Sequence, residues 1–294
     1  MATAIGPFLI ASCHVSRLSS QTIRLRFAEA VSRPDEQINL AEAALLIAAE
    51  EYPRLDVDLY IEKLDRFGDL AGEQAGSKTS AVDLIEAVSD TLFEKLGFHG
   101  NRASYYDPRN SFLNEVIDRR SGIPITLTVV YIEVARRIGL SIKGVGMPGH
   151  FIAKHEMESG DILIDPFNDG RLIGTVECSE LLSGTTGGTL DLESDHLRAV
   201  SNRQILTRML SNLLGIYGAT DQRRALAAID RILLMNPDSA KHVRDRGLLL
   251  AGLRDTRGAI EELERYLELA PNAPDEEAIR EQIGVIMKSQ AQLN

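Results

Sequence analysis

Apolar positions recur at helical spacing through most of the first hundred residues. LAEAALLIAAEEY follows Asn39, which forms an N-terminal capping pattern with Glu42, and Pro53 stops the run. LDVDLYIEKLDRFGDLAG repeats the spacing and is predicted to end at Gly72. After the loop EQAGSKTS, Ser80 is placed to cap SAVDLIEAVSDTLFEKLGF, which ends at Gly97. In YYDPRNS, Pro108 fixes its own φ and biases Asp107 away from helix, so this stretch reads as a turn. Asn110 or Ser111 is then available to cap the short helix SFLNEVIDRR, closed by Gly122. PITLTVVYIEVARRIG is different, because its apolar positions cover most of the helix circumference, as in a helix sunk in a core. Pro124 suits its first position and Gly139 closes it. The period then changes. IKGVGM, HFIAKHE, DILIDPF and RLIG are short, β-branched and separated by Gly or Pro, and read as strands. SGTTGGTLDLESD reads as a loop.

Residues 201–294 return to helical spacing and contain an internal repeat. ALAAIDRILLMNPDSA from Ala225 and AIEELERYLELAPNAP from Ala259 are offset by 34 residues, matching Ala225 to Ala259, Ile229 to Leu263 and Pro237 to Pro271. That period, with small Ala at the helix contact and Pro after the second helix, is the tetratricopeptide signature. Gly247 supplies the small residue required on the first helix of the second repeat, where the first repeat has Leu213. Two repeats and a trailing helix are close to the minimum for stacking, so they are predicted to lean on the preceding domain. The chain thus divides into an extension over 1–34, a core domain over 35–185 with a helical subdomain at 35–99, a linker at 186–200 and a repeat array from 201.

Charge narrows the function classes. The net charge is −11, and residues 29–94 hold 16 acids against 5 bases, so no basic footprint for nucleic acid is present. No apolar run approaches the roughly 18 residues of a membrane span. Two cysteines, Cys13 and Cys178, and six scattered histidines provide neither a disulfide framework nor a metal-ligand spacing, so no metal and no cofactor is expected. The acid-free first 28 residues are read as an ordinary terminus or first helix of a cytoplasmic protein, the alternative being a targeting segment for an organelle such as a plastid.

The order of helices, then a buried helix, then strands, matches an α+β papain-like core. In that arrangement a nucleophile opens the buried helix, and the strands supply a His and then an Asp. His150 and Asp165 hold those places, and such a pair orients an imidazole for acid–base work or joins two strands structurally.

The run GN…YYDPRNSFLNEVIDRRSGIPITLTVVYIEVARRIGL…GVGMPGHF…LIDPF resembles the SirB-type branch of the transglutaminase-like superfamily over roughly residues 35–175. The resemblance implies a transglutaminase or cysteine-protease core, for which fusion to tetratricopeptide-like repeats is typical, without implying a settled reaction. Active members open the buried helix with Gly-x-Cys, whose thiol the helix N-terminus activates. Aligned on Gly122, Gly139, His150 and Asp165, this chain places Pro124 at the cysteine position. Cys13 and Cys178 lie outside the motif. Thr126 and Thr128 share the helix, but a Thr hydroxyl needs strong activation, and the plainer reading is capping or back-bonding. Tyr105, Tyr106, Asn110 and Thr126 are candidates to line the cleft and bind a ligand, or else to pack the turn. Arg136 and Arg137 are read as a solvated helix end rather than an anion site. Two functions remain open. One is a degenerate, non-catalytic domain acting as an interaction scaffold, with a protein partner on the repeats. The other is a cysteine-independent amide hydrolase or acyl transferase using His150 and Asp165.

Overall fold

The computed structural model describes residues 19–291; Cys13 and most of the acid-free N-terminal segment lie outside them. A helical layer opens the fold, with α1 (Ser20–Ser32), α2 (Leu40–Glu51), α3 (Val57–Ala75) and α4 (Ala81–Ser89). Asn39, Asp56 and Ser80 each cap the following helix by accepting a first-turn backbone N–H. Helix α3 runs through Gly72 to Ala75 and turns at Gly76, whose φ is +58°. It continues because Gly68 and Gly72 are packing positions. A Cβ on Gly68 would meet Arg137 Cβ at 2.6 Å, and one on Gly72 would touch Ile138 at 3.8 Å.

After α4 the chain widens into a π turn (Asp90–Lys95), and β1 (His99–Gly100) pairs in parallel with β2 (Ser121–Gly122). Between them lie a 3₁₀ turn (Pro108–Ser111) and α5 (Leu113–Arg119). Neither Asn110 nor Ser111 caps α5: its N-cap is Phe112, with no side-chain cap, and it stops at left-handed Arg120 ahead of Gly122.

Helix α6 (Pro124–Arg137) is buried from Pro124 to Ala135. Full burial of each of its larger aliphatic side chains contributes on the order of 1.5–3 kcal/mol, which explains why an all-round apolar helix sits at the centre. Its C-terminal end corrects one expectation. Arg136 is largely solvated, but Arg137 lies against α3, pairing with Asp65 at 2.7 Å and with buried Glu133 at 2.6 Å.

The sheet follows as β3 (Lys143–Val145), β4 (Ile152–His155), β5 (Ile162–Asp165) and β6 (Arg171–Ile173). Helix α7 (Thr175–Thr186) comes next, its last residues taking up the start of the segment read as a loop, and then β7 (Ala199–Val200). The strand order is β6-β5-β4-β3-β7 and every pairing is antiparallel. Alternation sends Phe151, Ala153 and Ile164 into the core shared with α6, while Val145, Ile152 and Leu163 meet Cys178 and Leu182 of α7 on the other face.

Helices α8 (Asn202–Tyr217), α9 (Gln222–Met235), α10 (Ala240–Gly252), α11 (Thr256–Leu269) and α12 (Glu276–Ala291) complete the chain. Ala225 and Ala259 are wholly buried, and a Cβ on Gly247 would lie 2.8 Å from Leu263, as the 34-residue pattern requires. The first pair is not a separate body. Its Leu206, Leu210, Leu213 and Ile232 belong to the same apolar cluster as Phe27, Leu45 and Val130. Asp35 accepts the backbone N–H groups of Asn202 and Arg203, both at 2.9 Å, and caps α8 from across the fold. Buried Arg231 of α9 pairs with Glu50 of α2.

Candidate functional site

His150 stands on a tight turn. Met147 O accepts from His150 N at 3.2 Å, Pro148 and Gly149 occupy the centre, and Gly149 has φ +73°, which a side chain would resist. Two helices fix this turn. From α7, Thr185 Oγ1 donates to Pro148 O at 3.1 Å. From α8, Arg208 Nη2 donates to Met147 O at 2.8 Å and to His150 O at 2.9 Å.

Asp165 ends β5 and is fully buried. Its Oδ1 accepts from Phe167 N at 3.1 Å and its Oδ2 from Asn168 Nδ2 at 2.5 Å, so it caps the 3₁₀ turn Pro166–Asn168. The same Oδ1 lies 3.1 Å from His150 Nε2. Burial pushes the Asp165 carboxyl upward, but His150, Asn168 and the Phe167 N–H outweigh it and hold the group below the usual carboxylate range. An ionised carboxylate only accepts, so Nε2–H of His150 donates to it and Nδ1 is the ring nitrogen that Asp165 does not hold. The pair lies beside the first turns of α6: Thr128 Oγ1 donates to Phe151 O at 3.5 Å, and the Pro166–Asn168 turn packs on the same helix.

The remaining candidates separate. Tyr105 is at the cleft, its ring edge-on to Phe167 at 6.2 Å, and Phe167 in turn meets the His150 ring at 6.0 Å. Tyr106 packs edge-on to Tyr105 but is 80% exposed, so it lies at the rim. Asn110 and Thr126 are fully buried and present no atom to a ligand. The Asn110 amide donates to Ser104 O and Tyr105 O and its Oδ1 accepts from Asn101, while Thr126 Oγ1 donates to Asn110 O and accepts from Ile123 N. These two residues therefore tie the YYDPRNS turn to the start of α6. Gly122 permits the tie, since a Cβ there would lie 2.8 Å from Thr126 Oγ1.

Pro124 is buried at the first position of α6. Cys178 cannot take over, because it is fully buried in the apolar layer beneath α7 and its thiol is pushed up to about 11, first by burial and then by the charges of Asp165 and Glu177. The arrangement offers an imidazole oriented by a carboxylate beside an aromatic wall, with no thiol at the helix start. Among the described residues no group of three or more His, Cys, Asp or Glu is placed to hold a metal ion, and no helix is long and apolar enough to cross a membrane.

Phe167 and Arg208 were not foreseen as site residues. Phe167 sits in LIDPF, where a large ring after Asp-Pro gives no sign of its role. It stacks where Gly100 leaves room, since a Cβ on Gly100 would be 2.7 Å from the ring. Arg208 comes 58 residues after His150, on α8, and no local pattern marks it.

Comparison with known proteins agrees with this architecture. The signature described as "Transglutaminase-like superfamily" matches residues 58–211, and that described as "Tetratricopeptide repeat" matches 216–284. A UPF0162 protein of Xylella fastidiosa (strain Temecula1) is 40% identical over 254 residues, covering 84% of this chain and 89% of the relative. Protein SirB1 of Salmonella typhimurium is 27% identical over 253 residues, covering 85% and 94%. F-box only protein 21 of mouse is 31% identical over 170 residues, which is 54% of this chain and 26% of that longer protein. The chain belongs to the transglutaminase-like superfamily, in the branch that holds SirB1 and the UPF0162 proteins, and carries tetratricopeptide repeats at its C-terminal end.

Proposed function

We propose that this protein is a degenerate transglutaminase-like domain that acts as a protein-interaction scaffold, with the repeats docking a protein partner and the cleft beside His150 binding rather than cleaving. The observation that carries this reading is Pro124, which has no nucleophilic atom, buried where the fold would present a thiol. Tetratricopeptide repeats generally mediate protein–protein contacts, and the second helix pair exposes Leu248, with Val285 and Met287 exposed on α12. The few cysteines accord with a cytoplasmic protein.

Affinity capture tests the reading when the intact protein is compared with Leu248→Glu and Val285→Glu, which change exposed positions without disturbing the core. A partner lost from these variants but kept by His150→Ala supports a scaffold built on the repeats. The assembled pair of His150 and Asp165 favours the second reading, a thiol-independent amide hydrolase in which His150 positions a water. Hydrolysis of a peptide amide by the wild type, abolished in His150→Ala, would overturn the non-catalytic reading.

A further inference from the structure

The two turns that carry the pair are each held by an arginine. Arg208 grips the Met147–His150 turn through its carbonyls. The Pro166–Asn168 turn, which follows Asp165, is met by Arg102, just beyond β1. Arg102 is exposed, and among the described residues it has no carboxylate partner, so an ion pair does not account for its placement. Its contacts fall on consecutive residues of the turn. The guanidinium lies over the Phe167 ring at 4.8 Å, and Nη2 donates to Asn168 Oδ1. Each of those residues touches one member of the pair. The Phe167 ring meets the His150 ring edge-on at 6.0 Å, and Asn168 Nδ2 donates to Asp165 Oδ2 at 2.5 Å.

The chemistry of these groups leaves the Asn168 amide one orientation. A guanidinium only donates and an ionised carboxylate only accepts, so the amide between them turns its oxygen to Arg102 and its NH₂ to Asp165. Turned over, it would set donor against donor and acceptor against acceptor. Asp165 favours this orientation from the buried side, and Arg102 favours it from the solvent side. The Asn168 bond is among those that hold the Asp165 carboxyl in its ionised form, and the ionised carboxylate in turn holds Nε2–H of His150. The direction of every hydrogen bond from Arg102 to His150 is thereby set.

We propose that Arg102 is a positioning residue for the His150–Asp165 pair and acts through Asn168, its stacking on Phe167 holding the guanidinium in place. It braces the amide that Asp165 needs, and so keeps the imidazole in one tautomer and one orientation. The inference rests on the reading of the cleft beside His150 as the functional site, and adds to it the residue that fixes the far end of the pair. Neither Arg102 nor Asn168 is marked by the spacing that reveals His150 and Asp165, because their contact joins positions 66 residues apart.

The test follows the carboxyl carbon of Asp165 by NMR through the acid range, in the intact protein and in R102M, N168A and the double variant. Methionine keeps an apolar stem against Phe167 and has no donor for Asn168. N168A should raise the Asp165 midpoint by about one pH unit, because a hydrogen bond to the ionised form is lost. R102M should raise it by about half a unit, because that bond is left unbraced. The double variant should match N168A, since Arg102 then has nothing to act through. The charge of Asp165 acts on two other titratable groups, His150 and Cys178 of α7, and all the variants leave both side chains in place. An unmoved midpoint in R102M, or a double-variant shift equal to the sum of the single shifts, overturns the proposal. Should N168A fail to fold, R102M decides by itself, because Arg102 is exposed and outside the core. The titration needs no ligand and no partner, so its failure overturns this inference alone, whereas the capture experiment with Leu248→Glu bears on the scaffold reading.

Discussion

Replacing Asp165 with Asn keeps the side-chain shape and removes its charge. The carboxylate accepts from His150, Phe167 N and Asn168, and all three bonds close inside a site without solvent access to Asp165. An Asn amide has one acceptor oxygen. If that oxygen stays with Phe167 N and His150, the new NH₂ faces the Asn168 NH₂; if the amide flips, it faces Phe167 N and His150 Nε2. Either way one buried donor loses its acceptor, at about 1–3 kcal/mol, and a charge-assisted bond is lost as well. We therefore expect D165N to lower the unfolding free energy by about 2–4 kcal/mol at pH 7. The loss should depend on pH in one direction. The folded-state pKa of Asp165 is depressed, so its contribution is complete above the unfolded carboxyl value of about 4 and is lost as pH falls through the lower folded value. The chain has no Trp, so urea unfolding would be followed by far-ultraviolet circular dichroism. A D165N variant within about 0.5 kcal/mol of wild type at pH 7, or a difference that does not shrink below pH 4, would refute the account of Asp165 as the anchor of the His150 turn.

Three further outcomes follow from named contacts. Pro124→Cys, in a Cys13→Ser background and with folding checked first, should give a thiol with apparent pKa below the ordinary ~8.5; alkylation on the order of 100-fold faster than at Cys178 is expected, and equal rates would show that the helix start no longer favours a thiolate. Gly149→Ala forces a side chain onto a φ of +73° with its Cβ 2.4 Å from Thr185 Cβ, so a loss of about 2–4 kcal/mol is expected; an unchanged melting temperature would contradict the turn geometry. Gly247→Val should cost about 1–3 kcal/mol by driving a side chain into Leu263, and a neutral result in thermal melting would count against the repeat packing.

Much of this fold was readable because the decisive signals were local. Helix α6 announced itself by apolar residues on every side, with Pro124 and Gly139 as its limits, and the strands by short β-branched runs between glycines. His150 and Asp165 were found from their order after that helix, and the structure brings them into contact. What escaped depended on distant partners. Helix α7 buries only Cys178 and Leu182, too narrow a face to show through its Ser, Gly and Thr content. Asn110 has the chemistry of a cap, but Ser104, Tyr105 and Asn101 claim its amide, so α5 begins uncapped. Gly72 looked like a stop and is instead a contact surface for α6. Arg137 looked solvated because Asp65, its partner, lies 72 residues away.

The apolar cluster that runs from Phe27 through α6 to Met235 has a consequence for how the array is bounded. A solenoid needs a cap at each end, and here the transglutaminase-like domain is the N-terminal one: it supplies the surface on which α8 and α9 lie and, through Asp35, the acceptor for the opening N–H groups of α8. The array is therefore anchored at its N-terminal end. A cut near residue 200 would strip the domain's own interior, and the fragment would report unfolding instead of a missing docking surface.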